Sequence, residues 1–326
     1  MEALLQEINA RRDETNEPIR TIYIGGGTPS TLDAHTIRRL IAAIGTAQAT
    51  EVTMEMNPGD ATPQYLNDIR QAGVNRLSIG IQSFQDELLQ LIGRRHDAQQ
   101  ALDAVRMAQE AGFENMSIDL MYALPTQSMA QWQADIEKAL ALGVQHISTY
   151  GLIYEAGTVL THRMEQGELA PVDEETENAM YDHLCARLQQ AGFVHYEVSN
   201  FALPGYEAQH NSRYWDGTLY IGVGAGAHSY LPPVRSWNPD DLDAYITGIR
   251  TGTLQRERET LTEDDLYNEG IMLGLRTRSG IDETILRSDA TPHIAAGRLR
   301  RTQDGRIVAT QEGLHVLNRI IEDLMV

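Results

Sequence analysis

The stretch AGVNRLSI, residues 72–79, decides the fold, because close variants of it recur along the chain. AGFENMSI spans 111–118, ALGVQHIST spans 141–149 and AGFVHYEVS spans 191–199. In each copy a segment with helical periodicity closes on a glycine, which best adopts the left-handed conformation after a helix, and a strand-forming run follows. The sequence therefore predicts repeated helix–strand units whose helices end at Gly73, Gly112, Gly143 and Gly192.

Two more strands are predicted upstream, at TIYIG (21–25) and EVTMEM (51–56), with a helix from Leu32 to Ile44 between them. Strands that alternate with helices form a parallel sheet, because the crossover connection is right-handed. Residues directly after such strands meet at one edge of the sheet, where α/β proteins bind their ligands. We therefore expect an α/β protein whose site lies at this edge.

The composition excludes several classes of protein. With 42% hydrophobic and 22% charged residues the chain resembles an average globular protein. A formal net charge of −20 opposes the electrostatic attraction that most nucleic-acid binding needs, so we expect no nucleic acid as a partner. The charged N-terminal stretch is neither a signal peptide nor a membrane span, and no transmembrane segment is expected, which favours a cytoplasmic location.

The pattern changes after about Tyr230. LPPVRSWNPDD (231–241) is typical of a turn-rich connector, and two or three short helices are expected from there to Gly274. Asp304-Gly305 favours a tight hairpin turn, and 311–324 has helical periodicity. We predict a domain over 1–230 and a smaller α+β, winged-helix-like domain over 231–326. Its arginines are a phosphate-binding patch or a solvated hairpin face: Arg298, Arg300, Arg301 and Arg306.

Glycine and charged residues follow the predicted strands. The run GGGTPS (25–30) allows close approach of backbone to a charged ligand, although a tight turn would also require glycine. Glu55 lies between Met54 and Met56, where a carboxylate needs a cation or hydrogen-bond donors, unless it faces solvent or ties down a loop.

The next strands add further polar groups. Gln82 and Ser83 lie just past the strand RLSIGIQSF, and Arg94 and Arg95 are predicted on the following helical stretch. Asp119 interrupts the apolar run NMSIDLMYALP. Two carboxylates, an amide and a guanidinium at one edge match a ligand that bears amine, carboxylate and ribose hydroxyl groups, such as an amino-acid–nucleoside hybrid.

Five segments, in this order, resemble the HemW and oxygen-independent coproporphyrinogen oxidase group of radical S-adenosylmethionine (SAM) proteins: GGGTPSTL (25–32), EMNPGD (55–60), RLSIGIQSFQDELLQLIGRRHD (76–97), NMSIDLMYALPTQS (115–128) and YGLIYEAGT (150–158). The resemblance covers nearly the whole chain. It implies a partial (β/α)6 TIM-like barrel. It also implies SAM contacts from Gly26, Gly27, Thr28, Glu55, Gln82, Arg94 and Asp119.

HNSRYW, residues 210–215, is similar to the HNxxYW signature that separates HemW-like heme-binding proteins from the oxidases. The similarity implies heme contacts from His210, Asn211, Tyr214 and Trp215. A histidine beside two aromatic rings offers an imidazole to iron and flat faces to a macrocycle, although a lone histidine is more often a structural residue. His228 is a second candidate for this pocket, and Cys185 is expected to be a buried core residue.

The chain departs from the family in one respect. Radical SAM proteins hold a [4Fe–4S] cluster on a CxxxCxxC loop after the first barrel strand, whereas Cys185 is the single cysteine here. The resemblance therefore implies a barrel without its first strand, from an N-terminally shortened sequence. As written, the chain is expected to be inactive as a radical enzyme, so we name no catalytic residues and no metal ligands.

Three functions follow from these observations. The leading hypothesis is a HemW-like heme chaperone that binds heme and transfers it to acceptor proteins. The second is an oxygen-independent coproporphyrinogen III oxidase, which needs the cluster cysteines. The third is a non-catalytic relic that binds SAM, or nothing, and serves as a scaffold. HNSRYW favours the first.

Overall fold

The structure, a computed structural model, describes residues 1–45 and 48–326. The chain divides into two units. One comprises Ile22–Ala34 and Glu51–Ala208, and the other comprises Met1–Thr21, His35–Thr50 and Gln209–Val326. The domain boundary that the sequence places after residue 230 stays a prediction.

A seven-stranded sheet is built from β1 (Thr21–Ile24), β2 (Glu51–Met56), β3 (Arg76–Gln82), β4 (Met116–Tyr122), β5 (His146–Gly151), β6 (Val194–Glu197) and β7 (Asn200–Ala202). Its order is β1-β2-β3-β4-β5-β7-β6, and β2 to β5 pair in parallel. This arrangement confirms the predicted α/β fold with a parallel sheet, which curls as a half-barrel.

The fourth copy of the repeat departs from the simple pattern. Gly192 and β6 follow a helix as predicted, but β6 does not pair with β5. The chain turns back within two residues, and β7 lies between β5 and β6, antiparallel to both. A two-residue turn joins antiparallel strands only, so the expectation of a further parallel neighbour for β5 was wrong at this edge.

Helices precede or follow these strands: α1 (Glu2–Ala10), α2 (Ala34–Ile44), α3 (Pro63–Ala72), α4 (Asp86–Leu91), α5 (Ala98–Glu110), α6 (Met129–Ala141), α7 (Val159–Glu165) and α8 (Glu174–Gln190). The four repeat glycines have φ angles between 67° and 113°, in the left-handed region. They therefore end α3, α5, α6 and α8 as the sequence predicts, because only glycine takes this conformation without strain.

The two faces of the parallel strands differ in chemistry, because successive side chains point to opposite faces. One face carries apolar residues that are fully buried, among them Met54, Leu77, Ile79, Ile118 and Ile147. The other face, which we call the polar face, carries Thr53, Glu55, Arg76, Ser78, Ser117, Asp119, His146 and Ser148. Buried polar groups are costly without partners, so a polar face inside the sheet is typical of a ligand site.

The second unit adds β8 (His228–Leu231), β9 (Val234–Trp237), β10 (Glu257–Thr260), β11 (Ile281–Asp282), β12 (Leu299–Arg301) and β13 (Arg306–Ala309) in two three-stranded antiparallel sheets. Its helices are α9 (Gln209–Trp215), α10 (Leu242–Thr251), α11 (Glu263–Leu275), α12 (Thr291–Ala295), α13 (Gln311–His315) and α14 (Leu317–Leu324). No helix within residues 1–45 and 48–326 has the length and apolar character that crossing a bilayer requires.

Predictions for this unit are confirmed in part. Asp304-Gly305 forms the turn between β12 and β13, with Gly305 at φ 78°. The predicted helix over 311–324 is interrupted at Val316. The segment interpreted as a connector contains β9, because the Pro232-Pro233 turn pairs it with β8 in a hairpin.

A buried carboxylate fixes the loop that follows β3. Asp135 of α6 is fully buried and accepts hydrogen bonds from Ser83 Oγ (2.6 Å), the backbone N–H of Phe84 (3.1 Å) and Gln85 Nε2 (2.9 Å). Because these residues come directly after Gln82, Asp135 sets the position at which the strand ends.

Changing Asp135 to alanine should lower the free energy of unfolding by about 2–4 kcal/mol, since three donors lose their acceptor in a buried place. Urea denaturation followed by circular dichroism measures this change. Asp103→Ala, which removes an exposed ion pair with Arg106, is the control and should change stability by less than about 0.5 kcal/mol. Equal effects of the two substitutions would contradict the anchoring role.

Candidate functional site

Glu55 joins the triglycine loop to the sheet. Its Oε2 accepts a hydrogen bond from the N–H of Gly26 (3.1 Å), and its Oε1 accepts one from the hydroxyl of Tyr23 (2.6 Å). A Cβ on Gly25 would lie 2.4 Å from the Tyr23 ring and 2.9 Å from Glu55, so no larger residue fits. Gly26 and Gly27 have φ angles of 74° and 48°. The carboxylate thus ties down the loop, one of the alternatives that the sequence left open.

Gln82 and Arg94 lie together over Gly80. A Cβ on Gly80 would approach Gln82 Nε2 at 3.0 Å and Arg94 Nη2 at 3.1 Å. Arg94 Nη2 also donates hydrogen bonds to the Gly80 carbonyl (2.9 Å) and to Asn57 Oδ1 (3.0 Å). Gln82 has a φ of 71°, and the pairing of β3 with β4 is irregular there. A non-glycine residue in the left-handed region is strained, which is common at binding sites.

The prediction that Arg94 and Arg95 lie on a helix was wrong. Helix α4 ends at Leu91, and Gly93 takes a φ of 72°, so the chain leaves the helical path before Arg94. Both arginines lie in the loop between α4 and α5. From this loop the Arg94 guanidinium reaches the carbonyl of Gly80 near the end of β3.

Asp119 is the second carboxylate of the edge. Burial raises its pKa to about 6, although hydrogen bonds from Ser148 and Ser78 and the charge of Arg76 oppose the shift. The hydroxyl of Ser78 lies 3.2 Å from Asp119 Oδ1. Asp119 interacts electrostatically with Glu55 and with Arg94, so the three charged groups share one region.

A chain of buried hydrogen bonds continues from Asp119 across the polar face. Ser148, which hydrogen-bonds Asp119, lies 3.2 Å from Ser117 Oγ, and Ser117 Oγ lies 2.7 Å from His146 Nδ1. His146 Nε2 is 2.8 Å from the hydroxyl of Tyr196. Burial, and next the charge of Arg76, lowers the pKa of His146 well below its usual value. The imidazole is therefore neutral and fixes Ser117 and Tyr196 by its two ring nitrogens.

The structure brings together most of the residues that the sequence predicts to contact SAM. Gly26, Glu55, Gln82, Arg94 and Asp119 lie at one end of the parallel strands. Gly27 and Thr28 continue the same loop, and the Thr28 carbonyl accepts a hydrogen bond from Thr31 Oγ1 (2.7 Å). Their assignment to SAM stays a prediction.

Sequence reasoning missed three contributors: Tyr23, Asn57 and Ser78. Ser78 lies four residues before Gln82 on β3, so strand alternation was a signal for it. Tyr23 lies on β1, on which the sequence places no site residue. Asn57 directly follows the strand of Glu55.

The residues present fit SAM but not the cluster. Two carboxylates, a guanidinium, an amide and an open glycine backbone suit a molecule with an ammonium, a carboxylate and ribose hydroxyls. The cluster needs three thiolates, and the one cysteine, Cys185, is buried in α8, as the sequence predicts. The described part of the chain contains no group of three or more histidine, cysteine or acidic side chains arranged for a metal.

HNSRYW forms most of α9. His210 Nδ1 lies 2.8 Å from Thr21 Oγ1, and His210 Nε2 lies 2.9 Å from the hydroxyl of Tyr214. Both ring nitrogens therefore have hydrogen-bond partners, and binding of iron by Nε2 would require Tyr214 to move. The ring of Tyr214 packs edge-on against Tyr220, with 4.8 Å between centroids.

The remaining heme candidates differ in surroundings. Trp215 is half-buried, and its Nε1 has no hydrogen-bond partner among the described residues. Asn211 follows His210 in α9 and is also half-buried. His228 is exposed and stacks on Trp237, with 5.6 Å between ring centroids. The assignment of these residues to heme stays a prediction.

Two of the four arginines predicted near the C-terminus, Arg301 and Arg306, have structural partners. Arg301 forms an ion pair with Glu283, and Arg306 donates hydrogen bonds to the carbonyls of Ser279 and Gly280. These contacts favour the interpretation as a solvated hairpin face over a phosphate-binding patch.

Comparison with known proteins identifies relatives of the whole chain. Residues 1–139 match the model of the Radical SAM superfamily. The chain is 41% identical over 285 residues to "Heme chaperone HemW" of Lactococcus lactis subsp. lactis (strain IL1403), an alignment that covers 86% of this chain and 74% of that protein. It is 34% identical over 333 residues to "Heme chaperone HemW" of Mycobacterium tuberculosis (strain ATCC 25618 / H37Rv), covering 99% and 85%.

Among solved structures, the chain is similar to coproporphyrinogen III oxidase (HemN) from Escherichia coli, described as a radical SAM enzyme. The TM-score is 0.82 and the identity is 22%, and the match covers 100% of this chain and 82% of that one. At this identity the likeness shows the fold, and it confirms the barrel that the sequence predicts.

Asp119→Asn should change the pH dependence of stability. The folded pKa of about 6 lies above the ordinary value of 3.8, so the unfolded chain loses this proton at a lower pH than the folded protein. The wild type should therefore lose roughly 1–3 kcal/mol of stability, relative to the variant, as the pH rises from about 4 to 7. Urea denaturation at several pH values measures the difference. A difference that stays constant with pH would contradict the raised pKa.

Proposed function

Since this chain belongs to the HemW-like family of radical SAM proteins, we propose that it is a heme chaperone, which binds heme and transfers it to acceptor proteins. The proposal rests on the sequence identity between this chain and proteins named heme chaperones, which extends over nearly the whole chain. The motif HNSRYW on α9 supports it. Heme is in this proposal the cargo of the protein.

The side chains of α9 have the chemical groups that heme binding requires. His210 supplies an imidazole, and Tyr214 and Trp215 supply flat apolar surface with a polar atom at the edge. The hydroxyl of Tyr214 lies 2.9 Å from His210 Nε2 and orients the imidazole, so iron binding by Nε2 requires this contact to break. The unpartnered Nε1 of Trp215 offers a further donor.

Membership of the radical SAM family implies SAM and a [4Fe–4S] cluster as cofactors. We propose that SAM binds at the end of the parallel strands, where Gly26, Gly27 and Thr28 supply backbone groups and Glu55, Gln82, Arg94 and Asp119 supply side chains. The carboxylates suit the ammonium and ribose hydroxyls, and Arg94 suits a carboxylate. Because the residues present do not fit the cluster, we propose no radical chemistry for this chain.

Hemin titration tests the heme proposal. Purified protein should shift the Soret band of hemin with saturation, and His210→Ala should weaken binding by about tenfold or more, the effect of losing one iron ligand. Tyr214→Phe should retain binding, because it frees His210 Nε2 without removing the ring. His35→Ala, at an exposed histidine of α2, is the matched control.

Two results would overturn this proposal. One is the absence of a Soret shift with the wild-type protein. The other is a shift that His210→Ala leaves unchanged. Loss of the shift in His228→Ala alone would move the ligand to the exposed histidine beside Trp237.

Gly25→Ala tests the SAM site. The new methyl group would collide with Tyr23 and Glu55, displace the carboxylate from Gly26 and weaken SAM binding by roughly tenfold or more. Isothermal titration calorimetry measures the affinity. Gly59→Ala is the control, since its methyl group would meet no atom within 4 Å. The same loss of affinity in both variants would contradict the assignment.

A further inference from the structure

Arg76 is a buried cation on the polar face. It is the first residue of β3, and 3% of its surface is exposed. Strand alternation places it on the same face as Ser78, which contacts Asp119. Its charge lowers the pKa of both Asp119 and His146, so the guanidinium lies near both groups.

The guanidinium has no hydrogen-bond partner within residues 1–45 and 48–326. Arg76 Nε is buried without a hydrogen bond, and no acidic side chain of the described chain forms an ion pair with Arg76. Its register neighbour on β2, Thr53, is fully buried, and the hydroxyl of Thr53 also lacks a partner.

The nearby carboxylates do not fill this role. Asp119 accepts hydrogen bonds from Ser78 and Ser148, and Glu55 accepts them from Tyr23 and Gly26. The other arginine of the site, Arg94, donates to Gly80 and Asn57. Arg76 is thus the charged member of the polar face whose donors remain unused.

A buried, unpaired cation destabilises a folded protein unless an anion joins it. The planar guanidinium presents donors in a fork that matches a carboxylate with two parallel hydrogen bonds. The hydroxyl of Thr53 could add a third donor beside it.

We propose that Arg76 and Thr53 form a subsite on the polar face that binds the carboxylate group of a ligand. The subsite goes beyond the heme chaperone proposal, because it needs neither His210 nor heme. The carboxylate has two possible sources, the amino-acid part of SAM or a different carboxylate ligand. SAM has a single carboxylate, so the first source would assign that group to Arg76 in place of Arg94.

Propionate is the probe, and its neutral isostere propionamide is the reference. At constant ionic strength, increasing concentrations of propionate should raise the melting temperature of the wild-type protein to a plateau. Propionamide should not raise it. Arg76→Met should weaken the effect of propionate by about tenfold or more, as expected for a charge-assisted hydrogen bond. Arg95→Met, at an exposed arginine of the neighbouring loop, should respond like the wild type.

The variants also separate binding from a structural role. Without any anion, Arg76→Met should melt at the same temperature as the wild type or higher, because it removes an unpaired buried charge. Arg76→Lys keeps the charge but lacks the fork, and it should bind propionate more weakly than the wild type. A lower melting temperature of Arg76→Met without anion would assign Arg76 to the fold and overturn the proposal.

Competition identifies the source of the carboxylate. If SAM displaces propionate and 5′-methylthioadenosine, which lacks the amino-acid part, does not, the subsite holds the carboxylate of SAM. If propionate binds alongside SAM, the subsite serves another ligand. Failure of heme binding would leave these results intact. Equal effects of propionate and propionamide on the wild type, or an unchanged response in Arg76→Met, would overturn the proposal.

Discussion

The hydrogen bonds that Glu55 accepts from the N–H of Gly26 and the hydroxyl of Tyr23 hold the edge of the sheet together. They join β1, the triglycine loop and β2 through one carboxylate of the polar face. The same bonds explain the glycines: Gly25 leaves no space for a Cβ, and Gly26 and Gly27 need positive φ angles. Sequence, local geometry and the proposed SAM site are therefore linked at this residue.

On the rest of the polar face, most buried polar groups likewise have hydrogen-bond partners. Ser78 and Ser148 satisfy Asp119, and Ser117 and Tyr196 satisfy His146. Asp135 does the same for the loop after β3. Arg76 Nε and the neighbouring hydroxyl of Thr53 are exceptions within the described residues, and these two groups together suit an external anion.

Much of this was predictable from local sequence. The four glycine-closed helices and the strands after them follow from periodicity and backbone preference, and the convergence of Glu55, Gln82 and Asp119 follows from the geometry of a parallel sheet. The insertion of β7 and the hairpin of β8 and β9 depend on pairing between short segments, for which local sequence carries little information. The location of Arg94 depends on Gly93, one backbone conformation that periodicity does not reveal.

The motif HNSRYW places an imidazole beside aromatic rings, but the structure shows both nitrogens of His210 hydrogen-bonded, which no sequence pattern could reveal. The central claim, that the end of the parallel strands is a ligand site, rests on the geometry around Glu55. The most direct measurement is a crystal structure of the protein soaked with SAM. The account predicts electron density for an amino-acid–nucleoside beside Gly26, Glu55 and Arg94. Density for SAM elsewhere, with this edge unchanged, would contradict it.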